Sequence, residues 1–302
     1  MTRASEGASF FASLPGPARG ALWMLGASLC FGTQGPLVRF SVADGTDPMV
    51  VTFFRSLVLF LLVLPWILRH RNTALRSKRP GAQILRGAFS MVGLILHVLA
   101  QAKLPLAEVS ALTFAAPLFG TIGAALLLGE VVRMQRWIAT LVGFAGVWIV
   151  LRPGVSAVDP LFVLPLVSAV FIAASNLMIR SLSHHDSPNT TVAWLAMVSV
   201  PVTLVPALFF WTWPGPMALV WMSMLGVTAL GAHFCLTQAF TAAEASAVLP
   251  YDYSRLIVTS TFGYFLFAEV PTIWTWVGGA VIVGAVVYMA RRGNAAPRPP
   301  AV

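Results

Sequence analysis

Three ionisable side chains fall inside long apolar runs: Arg55, Asp252 and Arg255. A charge at membrane depth is costly and marks a functional candidate. Asp252 and Arg255 are three residues apart, so they share one helix face. Pro250 precedes them and cannot donate a backbone hydrogen bond, which loosens the helix there. Tyr251 and Tyr253 add hydroxyls and aromatic faces. This cluster could bind a zwitterion or a carboxylate, with Arg255 as the anion partner. Asp252 could equally form a buried structural pair with Arg255 or Arg55.

A second cluster comes from Gly32-Thr33-Gln34-Gly35-Pro36, which interrupts an apolar helix, and from its counterpart Ala173-Ala174-Ser175-Asn176. Irregular backbone at membrane depth survives only where it lines protein or a cavity, so Gln34 and Asn176 are candidate cavity residues. Close packing of small residues is the competing reading. His97 with Gln101, and His233 with Gln238, supply a third set. A membrane histidine can relay protons, although a lone one more often only packs and hydrogen-bonds. The chain lacks a Gly-x-x-x-x-Gly-Lys-[Ser/Thr] loop and a His-Glu-x-x-His motif, so it shows no sign of ATP-driven pumping or zincin chemistry. His184-His185-Asp186 reads as a solvated turn and not as a metal site. Cys30 and Cys235 fall within apolar runs and read as packed thiols.

The elements that must hold these residues are transmembrane helices. Of 302 residues, 58% are hydrophobic and 10% charged, against roughly 25% charged in soluble proteins. Crossing a bilayer takes about 20 mostly apolar residues. Such runs are Ala21–Phe40, Met49–Leu68, Ile84–Ala102, Ser110–Leu128 and Val132–Leu151, then Pro160–Leu182, Thr191–Trp211, Ala218–Phe240, Ala245–Ala268 and Ile273–Ala290. Residues 1–19 and 292–302, rich in Pro and Ala, read as disordered tails. Ala280-x-x-x-Gly284 and Gly120-x-x-x-Ala124 read as helix-packing motifs, with a homodimer as the weaker option.

Basic residues set the orientation. One set of connections carries Arg3, Arg19, Arg69, Arg71, Arg76, Lys78, Arg79, Arg86, Arg133, Arg136, Arg180, Arg291, Arg292 and Arg298. The other carries little beyond Arg39, Lys103 and Arg152. The positive-inside rule places the first set, and both termini, in the cytoplasm. The net charge of +9 then reflects topology and anionic lipid, and no nucleic acid partner is implied.

The two halves of the chain match in order. Gln101-Ala102 pairs with Gln238-Ala239, and Ala107-Glu108-Val109-Ser110-Ala111 with Ala243-Glu244-Ala245-Ser246-Ala247. Leu128-Gly129-Glu130-Val131 pairs with Phe267-Ala268-Glu269-Val270, and Leu37-Val38-Arg39 with Met178-Ile179-Arg180. Repeats of five spans each must lie in the membrane in opposite senses. That architecture is common in secondary transporters with a midplane site between the halves. The expected fold is therefore an all-α membrane protein of ten transmembrane helices in two inverted repeats, 20–152 and 153–291.

From about Leu22 to Ala290 the chain resembles EamA-type members of the drug/metabolite transporter superfamily. The most specific stretch runs Pro250-Tyr251-Asp252-Tyr253-Ser254-Arg255-Leu256, then Gly263 to Pro271 and on to Trp274, Trp276 and Gly279. Ala268 stands where that family usually has Gly. The resemblance implies ten helices, no bound cofactor, and movement of small metabolites across the bacterial inner membrane.

The leading expectation is a secondary transporter of a small polar or amphipathic metabolite, working by alternating access. The expected cargo-binding residues are Gln34, Arg55, Gln101, Asn176, His233, Tyr251, Asp252 and Arg255, with no metal ligands or catalytic residues. The alternative is a membrane-embedded enzyme acting on an amphipathic or lipid-linked substrate. It would need an acid–base pair facing a cavity, and only Asp252 with a Tyr or His comes near.

Overall fold

Pro48, Pro80, Pro188 and Pro216 each stand at the start of a long helix. Proline suits that place because its missing N–H would be unpaired there anyway. Asp47 accepts from the Met49 N–H at 2.8 Å and Ser187 from the Thr190 N–H at 3.2 Å, capping two of these starts.

The computed structural model describes residues 14–70, 73–116, 118–120, 122–123, 134–151, 159–182, 185–243, 251–252 and 254–293. Its helices are α1 (Gly16–Gly32), α2 (Gln34–Val42), α3 (Pro48–Arg69), α4 (Pro80–Lys103), α5 (Leu106–Thr113) and α6 (Met134–Leu151). A 3-10 turn at Pro160–Phe162 leads into α7 (Val163–Leu182), followed by α8 (Pro188–Phe209), α9 (Pro216–Ala242), α10 (Ser254–Phe267) and α11 (Ile273–Gly293). Glu130, Glu244, Pro250, Tyr253 and Arg152 lie outside the described residues, as do both chain ends.

Among the described residues, five helical stretches are long and apolar enough to cross a membrane alone: Pro48–Arg69, Pro80–Lys103, Pro160–Ile179, Pro188–Phe209 and Pro216–Ala242. The first span is α1 and α2 joined at Thr33. Pro36 has no N–H to offer the Gly32 carbonyl, and that carbonyl instead accepts from Thr259 Oγ1 at 3.4 Å. The interruption read at Gly32–Pro36 is real. Its counterpart at Ala173–Asn176 is not, because α7 runs unbroken through it.

Helices from the two halves interleave. The most extensive contacts are α6 with α11, α1 with α9, α4 with α7, and α3 with α8. The shorter α5 also packs on α10. Numbered as spans, these pairs are five with ten, one with eight, three with six, two with seven, and four with nine. Exchanging the halves turns one–eight into six–three and leaves the other pairs unchanged. An inverted repeat requires this symmetry.

The connections fall at two ends, as alternating spans demand. At one end Asp44 accepts from the Gly215 N–H at 3.1 Å, and Thr212 Oγ1 accepts from the Asp47 N–H at 2.9 Å. At the other, the Asp186 carboxylate accepts from Ser77, from the Lys78 N–H at 3.2 Å and from Gln83 Nε2 at 2.8 Å. Asp186 is therefore buried and engaged, not a solvated turn residue as expected.

The outer surface is apolar. Phe209, Trp213, Phe265, Met134, Leu141 and Trp148 are all more than 60% exposed. A soluble monomer does not show apolar patches of that extent; a bilayer covers them here. Against each other α6 and α11 meet backbone to backbone. A methyl on Gly146 would lie 2.8 Å from the Gly278 carbonyl oxygen, and one on Gly278 would lie 2.6 Å from that of Gly146. At Gly120 and Gly284 a methyl would meet nothing within 4 Å. Among the described residues, these two glycines therefore make no close helix contact.

Candidate functional site

A cavity of about 140 Å³ lies between the halves, enough for on the order of ten waters. Met24 and Phe31 of α1, Gln34 of α2 and Arg55 of α3 face it. So do Arg86, Ser90, Met91, Leu94 and His97 of α4, and Thr113, Phe114 and Ala116 at and after α5. The second half adds Ile172, Ser175, Asn176 and Ile179 of α7, His233, Leu236 and Phe240 of α9, and Asp252 and Arg255 at the start of α10. Among the described lining residues, none comes from the outer pair α6 and α11.

Six of the eight sequence-predicted residues meet in this cavity: Gln34, Arg55, Asn176, His233, Asp252 and Arg255. The other two do not. Tyr251 is 44% exposed and contributes its carbonyl to Ser28 and Ser254. Gln101 is buried, but its side chain packs near Gly35 and its carbonyl is taken by Arg39.

Arg255 Nη2 lies 3.9 Å from Asp252 Oδ2, the pair that the three-residue spacing predicts. Asp252 Oδ1 also accepts from Ser28 Oγ at 3.3 Å. The guanidinium of Arg255 stands 5.0 Å from the centre of the Phe114 ring and 5.7 Å from that of Phe31, both within cation–π range. His233 meets Phe31 edge to face at 5.7 Å. Around Arg255 the cavity wall is therefore built of rings and a ring-bound cation.

The other charged groups are less engaged. Arg55 is fully buried, and its one described hydrogen bond runs from Nη2 to Gln34 Oε1 at 3.2 Å. Arg86 is equally buried and donates from Nη1 to the Thr191 carbonyl at 3.3 Å. From its place in the sequence, Arg86 reads as a cytoplasmic-edge charge. The structure instead places it more than a turn into α4, inside the cavity. The missed signal was its position six residues past Pro80, which starts the helix.

His97 Nδ1 lies 3.3 Å from Thr113 Oγ1, and that hydroxyl donates to the Val109 carbonyl at 2.7 Å. With its only hydrogen used there, Thr113 must accept, so the proton is assigned to His97 Nδ1 and Nε2 is left as an acceptor.

At the end of the bundle away from the Arg69–Arg86 connection, Arg39 forms an ion pair with Glu269. It also donates to the Gln101 carbonyl at 3.1 Å and the Leu104 carbonyl at 2.6 Å. Glu269 Oε2 accepts from the Leu106 N–H at 3.0 Å. Lining residues extend the opposite way, through Arg86, Ile179 and Phe240. Among the described residues, no group of three or more His, Cys, Asp or Glu side chains could hold a metal ion.

The profile of the EamA-like transporter family matches residues 18–152 and again 161–291. The chain belongs to the EamA-like transporter family. It is an all-α membrane protein of ten spans in two inverted repeats, and it is a secondary transporter of small metabolites, not an enzyme. The enzyme alternative has no support among its relatives.

A riboflavin transporter of Vibrio cholerae is 35% identical over 280 residues, covering 90% of this chain and 93% of that protein. A pseudopaline exporter of Pseudomonas aeruginosa is 30% identical over 278 residues, covering 90% and 96%. An S-adenosylmethionine uptake transporter of Rickettsia prowazekii is 28% identical over 239 residues, covering 79% and 81%. One solved crystal structure superposes with a TM-score of 0.66 at 17% identity, over 92% of this chain and 99% of the other. That likeness shows the fold alone.

Proposed function

We propose that this EamA-like transporter carries a flavin-like metabolite, a flat heterocycle joined to a polar chain, across the bacterial inner membrane by alternating access. The observation that carries the reading is that the cavity wall combines ring faces with hydrogen-bonding groups. Phe31, Phe114 and His233 with Arg255 offer ring faces and a stacked cation. Gln34, Arg55 and Asn176 offer hydrogen-bonding groups to a polar chain. Riboflavin and S-adenosylmethionine, named for relatives at 35% and 28% identity, both have this two-part form.

Both termini lie in the cytoplasm in this reading. It rests on the basic residues Arg69, Arg71, Arg76, Lys78 and Arg79 at one end, set against an opposite end whose 212–216 turn carries no charge. A reporter fused after Arg292 should be active only in the cytoplasm. The cargo reading is tested with radiolabelled riboflavin in proteoliposomes. Saturable riboflavin flux that is absent from empty vesicles supports it. A protein that transports other metabolites but shows no riboflavin flux overturns it.

A further inference from the structure

The chain's own arginines supply a standard for a satisfied guanidinium. Arg39 uses Nε, Nη1 and Nη2, each on an oxygen of the protein. The cavity arginines do not. Among the described residues, Arg55 is 2% exposed yet its Nε and Nη1 have no partner, and Arg86 is 2% exposed with none for its Nε. Gln34 Nε2 and His233 Nδ1 are buried without partners at the same cavity. Five nitrogens of four residues lining the cavity are thus left open among the described residues, and at least four are donors.

The charge is as unbalanced as the hydrogen bonding. Among the described lining residues, Arg55, Arg86 and Arg255 face one carboxylate, Asp252. That carboxylate already lies against Arg255 and Ser28. A buried cation without a counter-charge is expensive to hold, and among the described residues no carboxylate pairs with Arg55 or Arg86. Carbonyl oxygens on a neutral cargo would satisfy N–H groups but leave the charge. A carboxylate or phosphate does both, and its geometry matches the guanidinium fork.

We propose that Arg55 and Arg86 form an anion seat, so that the cargo carries a carboxylate or phosphate besides its ring. This deepens the transporter reading above and rests on it for the ring. It also moves the anion partner from Arg255, which already has Asp252 and two rings, to the pair that has neither.

The test uses the full chain in nanodiscs of zwitterionic lipid. Riboflavin and flavin mononucleotide share a ring and differ by a phosphate. Flavin mononucleotide should bind at least about tenfold tighter, the value of one charge-assisted hydrogen bond. The doubly substituted Arg55→Gln, Arg86→Gln protein should narrow that gap. Inorganic phosphate, at constant ionic strength, should raise the thermal midpoint of the wild type more than that of the double variant. If the double variant does not fold, Arg86→Lys replaces it, since an ammonium cannot reproduce the fork.

Riboflavin binding as well as or better than its phosphate ester overturns the seat, as does an equal phosphate response in wild type and variant. If neither flavin binds but phosphate still separates the two proteins, the flavin-like ring is wrong and the seat stands. If anionic lipid in the nanodisc abolishes the phosphate response, a headgroup fills the seat and the assignment to cargo fails.

Discussion

Arg39 and Glu269 form an ion pair that ties α2 of the first half to the segment after α10 of the second. Through the Gln101 and Leu104 carbonyls and the Leu106 N–H, the same pair also holds the junction of α4 and α5. All four segments meet at one end of the bundle, while the cavity lining extends toward the other. In the cytoplasmic-termini orientation the pair closes the outer side.

Breaking that tie should open the outer side. In a background of Cys30→Ala and Cys235→Ala, a Gln34→Cys variant reports access to the cavity. Adding Glu269→Gln should raise its labelling by an impermeant maleimide from outside several-fold. An unchanged rate would show that the pair does not close this face. Arg39→Lys should act in the same direction, because it keeps the charge but cannot reach both carbonyls.

Arg255 is held by a carboxylate and two rings, so its replacement should separate charge from stacking. Arg255→Ala should abolish transport while the protein remains folded in the membrane. Arg255→Lys should restore only part of it. The double variant Asp252→Asn, Arg255→Gln removes both charges; full transport by that protein would reduce the pair to a structural role.

The crossing of α6 and α11 leaves no room for a side chain at Gly146 or Gly278. Gly146→Ala places a methyl 2.8 Å from the Gly278 carbonyl oxygen and Ile282. The helices must separate, and the cost should be about 1–3 kcal/mol. Thermal unfolding in detergent measures it. Gly284→Ala, where a methyl meets open space, is the matched control and should leave the midpoint unchanged.

Ala268 has a φ of 53°, in the left-handed region where a Cβ is strained. It turns the chain so that the Glu269 N–H bonds the Gly263 carbonyl at 3.0 Å. Ala268→Gly keeps the turn and removes the strain. It should raise stability by up to about 1 kcal/mol, read as a higher thermal midpoint with transport intact. A lower midpoint would mean that chain entropy outweighs the strain.

Asp186 lies outside the spans. Burial pushes its carboxyl upward, but hydrogen bonds from Ser77, Gln83 and Lys78 overcome this and hold it below its usual value. Its contribution is therefore present above the ordinary carboxylate range and is lost as pH falls through the lowered folded value. Asp186→Asn should remove this part of the acid sensitivity and cost about 1–3 kcal/mol at neutral pH. Unfolding midpoints of the two proteins should converge on acidification.

Composition and hydropathy alone determine that this chain is a bundle of membrane helices, because bilayer thickness dictates the length of each apolar run. The ordered repeat fixes the opposed halves, since an odd number of spans must invert the second copy. The Asp252–Arg255 pair is legible because three residues bring two side chains to one helix face. Local spacing says nothing about which residues far apart in the chain converge. Arg86 reads from sequence as one more basic residue at a membrane edge, and only the packing of α4 against α7 and α8 buries it in the cavity. Gln101 and Tyr251 look equivalent to Gln34, yet helix rotation turns one into a packed junction and the other outward. Arg39 and Glu269 are 230 residues apart in the sequence. Their pairing exists because two inverted repeats bring an end of each half to the same face of the membrane.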